Sequence, residues 1–213
     1  MLRCLITLIL PAALASCAAP LASPVAHDNP IIFGKASAPV EIVIWLGLRG
    51  EQSKAFITAV LPGLIDGAVK AGTARVRLEP VANLNGTLPA VSVLWCVQNS
   101  IQGDLATRST SSLLLLQAMQ NTPPNGSPGY GEAWWLEQSA ATAGLASELV
   151  TGCLKNALAA ESVRASYLAG KAISLRNVLL LPQVSVNGQV VNMLDTPSVT
   201  LAQIEEAIAK AGS

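Results

Sequence analysis

With an N-terminal export segment set aside, the 213 residues make about one domain with enough chain for a substantial core. Hydrophobic residues make up 51% of the chain but aromatics only 4%, so that core is built mainly from Ala, Leu, Val and Ile. Lys+Arg and Asp+Glu balance at 13 each with no basic run, which argues against nucleic acid as a partner, and a single histidine, His27, argues against histidine triads and multi-histidine metal sites.

Met1 to Ala19 has the form of a secretion signal: Arg3 supplies the positive start, Leu5 to Leu10 the apolar stretch, and small residues follow. The stretch contains Leu14-Ala15-Ser16-Cys17, which resembles the bacterial lipobox, where the signal is cut before the cysteine and the new N-terminal residue is lipidated. On this reading residues 1–16 are the signal peptide, and the protein is exported to the bacterial cell envelope and held at a membrane through a lipid on Cys17. An ordinary cleaved signal or an uncleaved anchor is the alternative. The apolar run is short for a spanning helix and contains Pro11, which counts against the anchor. Residues 17–30, rich in Ala and Pro and without periodicity, read as a flexible tether reaching on the order of 20 Å.

Residues 31–213 read as the folded domain. The apolar run Val40 to Trp45 predicts a strand, Gly47 breaks it, and a helix follows from Glu51 to about Ala71, interrupted near Pro62. Ala74 to Leu78 predicts a second strand that closes a right-handed βαβ unit, and Asn83 to Pro89 a loop. Asn85-Gly86-Thr87 and Asn125-Gly126-Ser127 match the glycosylation sequon but carry no weight in a bacterial lipoprotein. From Ala90 to about Asn177 the pattern is helical over Val91–Ile101, Ser111–Gln120, Glu132–Ala143, Ser147–Leu158 and Glu161–Ser174, divided by a Pro/Gly-rich loop from Asn121 to Gly131. Trp95, Trp134 and Trp135 fall inside these helices and are expected to pack, fully or half buried. Asn187-Gly188 between apolar alternations predicts a type I′ hairpin, and Leu201 to Ala211 a closing helix.

Two landmarks resemble the DsbA-like thioredoxin family. Ala38-Pro39-Val40-Glu41-Ile42-Val43-Ile44-Trp45, then four residues and a helix with Phe56 and Val60-Leu61-Pro62, is similar to that family's first strand and active-site helix. Leu181-Pro182-Gln183-Val184-Ser185-Val186-Asn187-Gly188 is similar to its cis-proline strand and hairpin. Gly144-Leu145 to Cys153-Leu154 resembles the end of its helical insertion. The resemblance implies an α/β, thioredoxin-like fold with an inserted helical subdomain at about 90–177. It also implies a cis Leu181–Pro182 bond and a groove where an extended peptide pairs backbone to backbone, with Gln52, Leu181, Pro182 and Gln183 along it. Leu181 stands where the family usually has a smaller or polar residue, which narrows that groove.

The family's Cys-x-x-Cys falls on Gly50 and Ser53. Thiol–disulfide exchange needs a thiolate, stabilised by the unpaired N–H groups and dipole of a helix start. Gly50 has no side chain, and no helix dipole ionises a serine hydroxyl near neutral pH, so Ser53 is expected to cap the helix instead. The scaffold is therefore expected without its reaction, and with no catalytic residue, cofactor or metal.

Of four cysteines, Cys4 goes with the signal and Cys17 with the lipid, leaving Cys96 and Cys153 in an oxidising compartment. Each stands where some DsbA-like relatives carry a cysteine of a second, structural disulfide, which implies a Cys96–Cys153 bond. A redox-active pair is the alternative, without a vicinal motif to support it.

Three functions follow from these readings. The first is a redox-inactive binding module for envelope proteins or extended peptides. The second is an enzyme, either a thiol–disulfide oxidoreductase or a glutathione-binding protein with a serine at the helix start. For the glutathione reading Ser53 lies one turn too deep. The third is a structural scaffold of an envelope complex, contacted through the helical insertion or the 121–131 loop.

Overall fold

The computed structural model describes residues 31–82, 87–121, 133–154, 157–174, 179–191 and 199–212. The signal segment, Cys17, the tether, His27 and the loops expected around 83–86 and 122–131 lie outside the described residues.

Val40–Gly47 (β2) is apolar at almost every position because it lies at the centre of the sheet with both faces covered. The strands run in the order β1 (Ile31–Phe33), β3 (Ala74–Val81), β2, β4 (Gln183–Val186), β5 (Gln189–Val190). β2 and β3 are parallel, joined by the expected crossover helix, whereas β1 pairs antiparallel with β3, and β4 antiparallel with β2. β1 is absent from the sequence reading: three residues are too few to display an alternation. The edge it forms is covered, since the Ile32 N–H donates to Ser109 Oγ at 3.0 Å.

The crossover helix α1 occupies residues 51–69 and runs through Pro62 rather than stopping there. Pro62 has no N–H to donate and its ring crowds the preceding turn. Two wide π-helical turns, Phe56–Val60 and Ile65–Val69, flank the short segment Leu61–Leu64 and take up that misfit.

The insertion comprises α2 (Leu88–Ser100), α3 (Leu105–Asn121), α4 (Ala133–Thr142), α5 (Ser147–Cys153) and α6 (Ala157–Ile173), and α7 (Leu201–Ala211) closes the fold. α2 begins with Pro89 in its first turn, where a missing N–H costs nothing, so the expected loop ends earlier than Pro89. α3 starts at Leu105, ahead of the expected Ser111, with the Asp104 carboxylate accepting from the Thr107 N–H at 2.8 Å. Trp95 and Trp135 are fully buried, and Trp95 Nε1 donates to the Pro80 carbonyl at 2.9 Å; Trp134 remains 45% exposed.

A seam of polar contacts fixes α6 to the sheet. Trp45 Nε1 donates to the Ser166 carbonyl at 3.1 Å, and Gln183 Nε2 to the Gly170 carbonyl at 2.8 Å. The Ser166 hydroxyl donates to the buried Glu79 carboxylate, which also pairs with Arg77 at 3.0 Å. Gly170 is required here, because a Cβ at this position would lie 2.9 Å from the Trp45 ring.

Candidate functional site

β2 ends at Gly47, and a short connection leads to α1, whose N-cap is Gly50. No side chain caps that helix start, which overturns the expected capping by Ser53. Ser53 sits one turn inside the helix, wholly buried, and its Oγ accepts from the Gly47 N–H at 3.0 Å. The hydroxyl points back at the strand end because the helix axis turns that face inward. Its use is to hold the strand-to-helix corner, with the buried Gly47 amide satisfied as a buried donor must be.

Positions 50 and 53 are neighbours in space as well as in spacing. A Cβ built on Gly50 would lie 3.3 Å from Ser53 Oγ, so two side chains at these positions would meet. Gly50 itself is half-buried, Gln52 is exposed, and Lys54 is half-buried. Leu48, Arg49, Gly50, Glu51, Lys54 and Gln120 line a cleft of ≈ 260 Å³ at this corner. Gln120, contributed by α3 of the insertion, donates from Nε2 to the Gly47 carbonyl at 3.2 Å. Both main-chain groups of Gly47 are therefore met by side chains, one from each side of the corner. The sequence offered no sign of Gln120, because its partner is 73 residues away.

The second landmark comes to the same corner. The Leu181–Pro182 peptide bond is cis, as the resemblance implies, and Pro182 is buried. β4 follows with Gln183 opposite Trp45, which brings the cis-proline bend level with the end of β2. Leu181 is half-buried, and its Cδ1 lies 3.1 Å from where a Cβ on Gly47 would stand. It packs with Val43, Trp45, Val81 and Leu179, so its bulk covers the strand end that a smaller residue would leave open. Leu180 beside it is 56% exposed. Gln183, expected along the groove, turns its side chain the other way, buried to 3% exposure against α6.

The hairpin after β4 has positive φ at both turn residues, Asn187 at 46° and Gly188 at 80°, as a type I′ turn requires. Asn187 locks it to β2 by a reciprocal pair with Glu41: its N–H donates to the Glu41 carbonyl and its Oδ1 accepts from the Glu41 N–H, both at 2.8 Å.

Cys96 on α2 and Cys153 at the end of α5 place their sulfurs 1.98 Å apart and join two helices of the insertion. Neither lies at the corner. Among the described residues no cluster of three or more His, Cys, Asp or Glu could hold a metal ion, and no helix is long and apolar enough to cross a membrane.

A family model described as thioredoxin matches residues 26–209. Among curated proteins none matches the chain. The fold is similar to that of Chlamydia trachomatis DsbA, with a TM-score of 0.72, 19% identity, and 88% of this chain and 94% of that one covered. It is also similar to oxidised BdbD from Bacillus subtilis, with a TM-score of 0.66, 20% identity, and 86% and 92% covered. The catalytic domain of Proteus mirabilis ScsC superimposes with a TM-score of 0.61 at 11% identity, covering 88% and 92%. The architecture is thus thioredoxin-like with a DsbA-like helical insertion.

Proposed function

For a chain that belongs to the thioredoxin family, we propose a redox-inactive, lipid-anchored, peptide- or protein-binding module of the bacterial cell envelope, acting in protein folding or envelope assembly. One observation carries the reading: the cis Leu181–Pro182 bend is retained against a helix start whose two paired positions are Gly50 and a buried Ser53. The bend and the helix start meet at one corner, because Gln183 lies opposite Trp45 near the end of β2. Here the bend sits where an extended chain would meet main-chain groups, while the side chains that exchange chemistry needs are missing. Membrane attachment through Cys17 is supported by the Leu14–Cys17 pattern, and the envelope setting by the pairing of Cys96 with Cys153.

The glutathione reading draws no support from this corner. Ser53 is wholly buried behind the helix start, so its hydroxyl is not presented to a thiolate bound in the cleft.

The first test is exchange itself. The protein is expected neither to reduce insulin nor to oxidise a reduced dithiol peptide. The double variant Gly50→Cys with Ser53→Cys is expected to gain measurable exchange, with the thiol introduced at position 50 titrating well below the ordinary value of about 8.5. Activity in the unaltered chain would overturn the redox-inactive reading. A folded double variant with an ordinary thiol pKa would overturn the placement of the motif.

A further inference from the structure

Resting on the reading of a peptide-binding module, we infer that the cleft at the β2–α1 corner selects extended segments that carry an Asp or Glu side chain, with Lys54 as the residue that sets the preference. The apolar part of the corner is largely closed by the fold itself. Leu181 lies over Gly47 and packs with Val43, Trp45, Val81 and Leu179, which leaves Leu180 as exposed apolar surface beside the bend. What stays open is the cleft of ≈ 260 Å³. Sites that enclose a free small molecule hold roughly 300–1,000 Å³, so this smaller space suits one side chain of a passing polypeptide.

The walls of the cleft are polar, and their charges do not balance. Arg49 and Lys54 stand against the single carboxylate of Glu51, and Gln120, held at the Gly47 carbonyl, is neutral. Arg49 and Glu51 are exposed, so solvent screens both, whereas Lys54 is half-buried. The ion pairs described elsewhere on the fold are Glu41–Arg75, Glu79–Arg77 and Glu206–Lys210, and Lys54 belongs to none of them. It also stands near the start of α1, where no side chain caps the N–H groups and their potential has the same sign. A half-buried ammonium in this setting gives a client carboxylate a charge-assisted hydrogen bond and repels a client cation.

Fluorescence anisotropy of the full chain at low ionic strength tests this with end-blocked peptides of Ser, Ala and Leu, identical but for a central Asp, Asn or Lys. The Asp peptide is expected to bind about threefold more tightly than the Asn peptide, and the Lys peptide most weakly. Lys54→Gln is expected to remove the difference between Asp and Asn, Glu51→Gln to widen it, and added salt to narrow it. Equal binding of the three peptides, or an Asp preference untouched by Lys54→Gln in a folded protein, would overturn the selection and leave the binding module standing. An Asn peptide with a free C-terminal carboxylate that binds as tightly as the blocked Asp peptide would overturn the assignment to a side chain. Absence of binding to all of them would overturn the module itself, and the inference with it.

Discussion

Gly47 is the residue on which the candidate site turns. It ends β2, gives its N–H to Ser53 and its carbonyl to Gln120, and lies under Leu181. Because the amide is buried, Ser53 has a structural use that needs neither nucleophilicity nor exposure. Ser53→Ala leaves that donor unpaired and is expected to cost about 1–3 kcal/mol, read as a lower urea midpoint at unchanged slope. A midpoint equal to that of the parent protein would mean that water or another acceptor replaces the hydroxyl. Sequence spacing placed Ser53 one turn into a helix, yet did not disclose its direction: the cap expected of it required Oγ to face the free N–H groups, and the corner turns it towards the strand.

At the scale of elements, the parts legible in the sequence are those with a local signature. The runs Val40–Trp45 and Ala74–Leu78 announce themselves as strands through continuous apolar residues, in the first, and alternating ones, in the second, and Asn187-Gly188 through its turn chemistry. α7 matches its expected bounds because Thr200 and Gln203 form a capping box before an amphipathic run. α3 is longer than expected because Thr107-Arg108-Ser109-Thr110-Ser111-Ser112 is polar, although Ser109 and Ser112 are buried inside the fold. α5 is shorter, ending at Cys153 where the disulfide ties it to α2.

Two predictions belong to these elements. The Cys96–Cys153 bond spans 57 positions, and its loss, by reduction or by replacing both residues with Ala, is expected to cost about 4 kcal/mol in the chain-entropy account. Denaturation with and without reductant measures this, and two alkylatable thiols in the intact oxidised protein would contradict the pairing. The second concerns α3. The Thr107 backbone N–H and hydroxyl, aided by Arg108, hold the Asp104 carboxyl below its usual 3.8. A folded-state pKa below the unfolded one means that the cap contributes fully above the unfolded pKa and is lost as pH falls through the folded one. Carboxyl NMR titration is expected to show Asp104 titrating below 3.8, and Asp104→Asn to keep the cap without its acid sensitivity. A titration midpoint at the ordinary value would contradict the cap.

At the scale of the whole molecule, the insertion and the sheet are joined on two sides of the site. α6 is held by Trp45, Gln183 and Glu79, all carried on the sheet, while α3 reaches the corner through Gln120. The cleft wall thus draws on both parts of the fold. This explains what the sequence left hidden: a resemblance located the helix start and the cis proline, but which side chains face the cleft depends on contacts between residues far apart in the chain, as with Gln120 and Gly47, 73 positions apart. Gln183 shows the same limit, being at the expected place in the chain but turned to the other face.

The corner formed by Gly47, Gly50 and Pro182 is proposed to bind extended polypeptide without exchanging thiols, and the most direct test is photo-crosslinking in intact cells. One probe is placed at exposed Gln52 beside the corner and a control probe at exposed Glu148 on α5 of the insertion. Many unfolded or extended clients are expected to be captured from Gln52, none of them through a disulfide, and few from Glu148. A single fixed partner captured from Glu148 with Gln52 silent would contradict peptide binding at the corner and leave the fold as a scaffold.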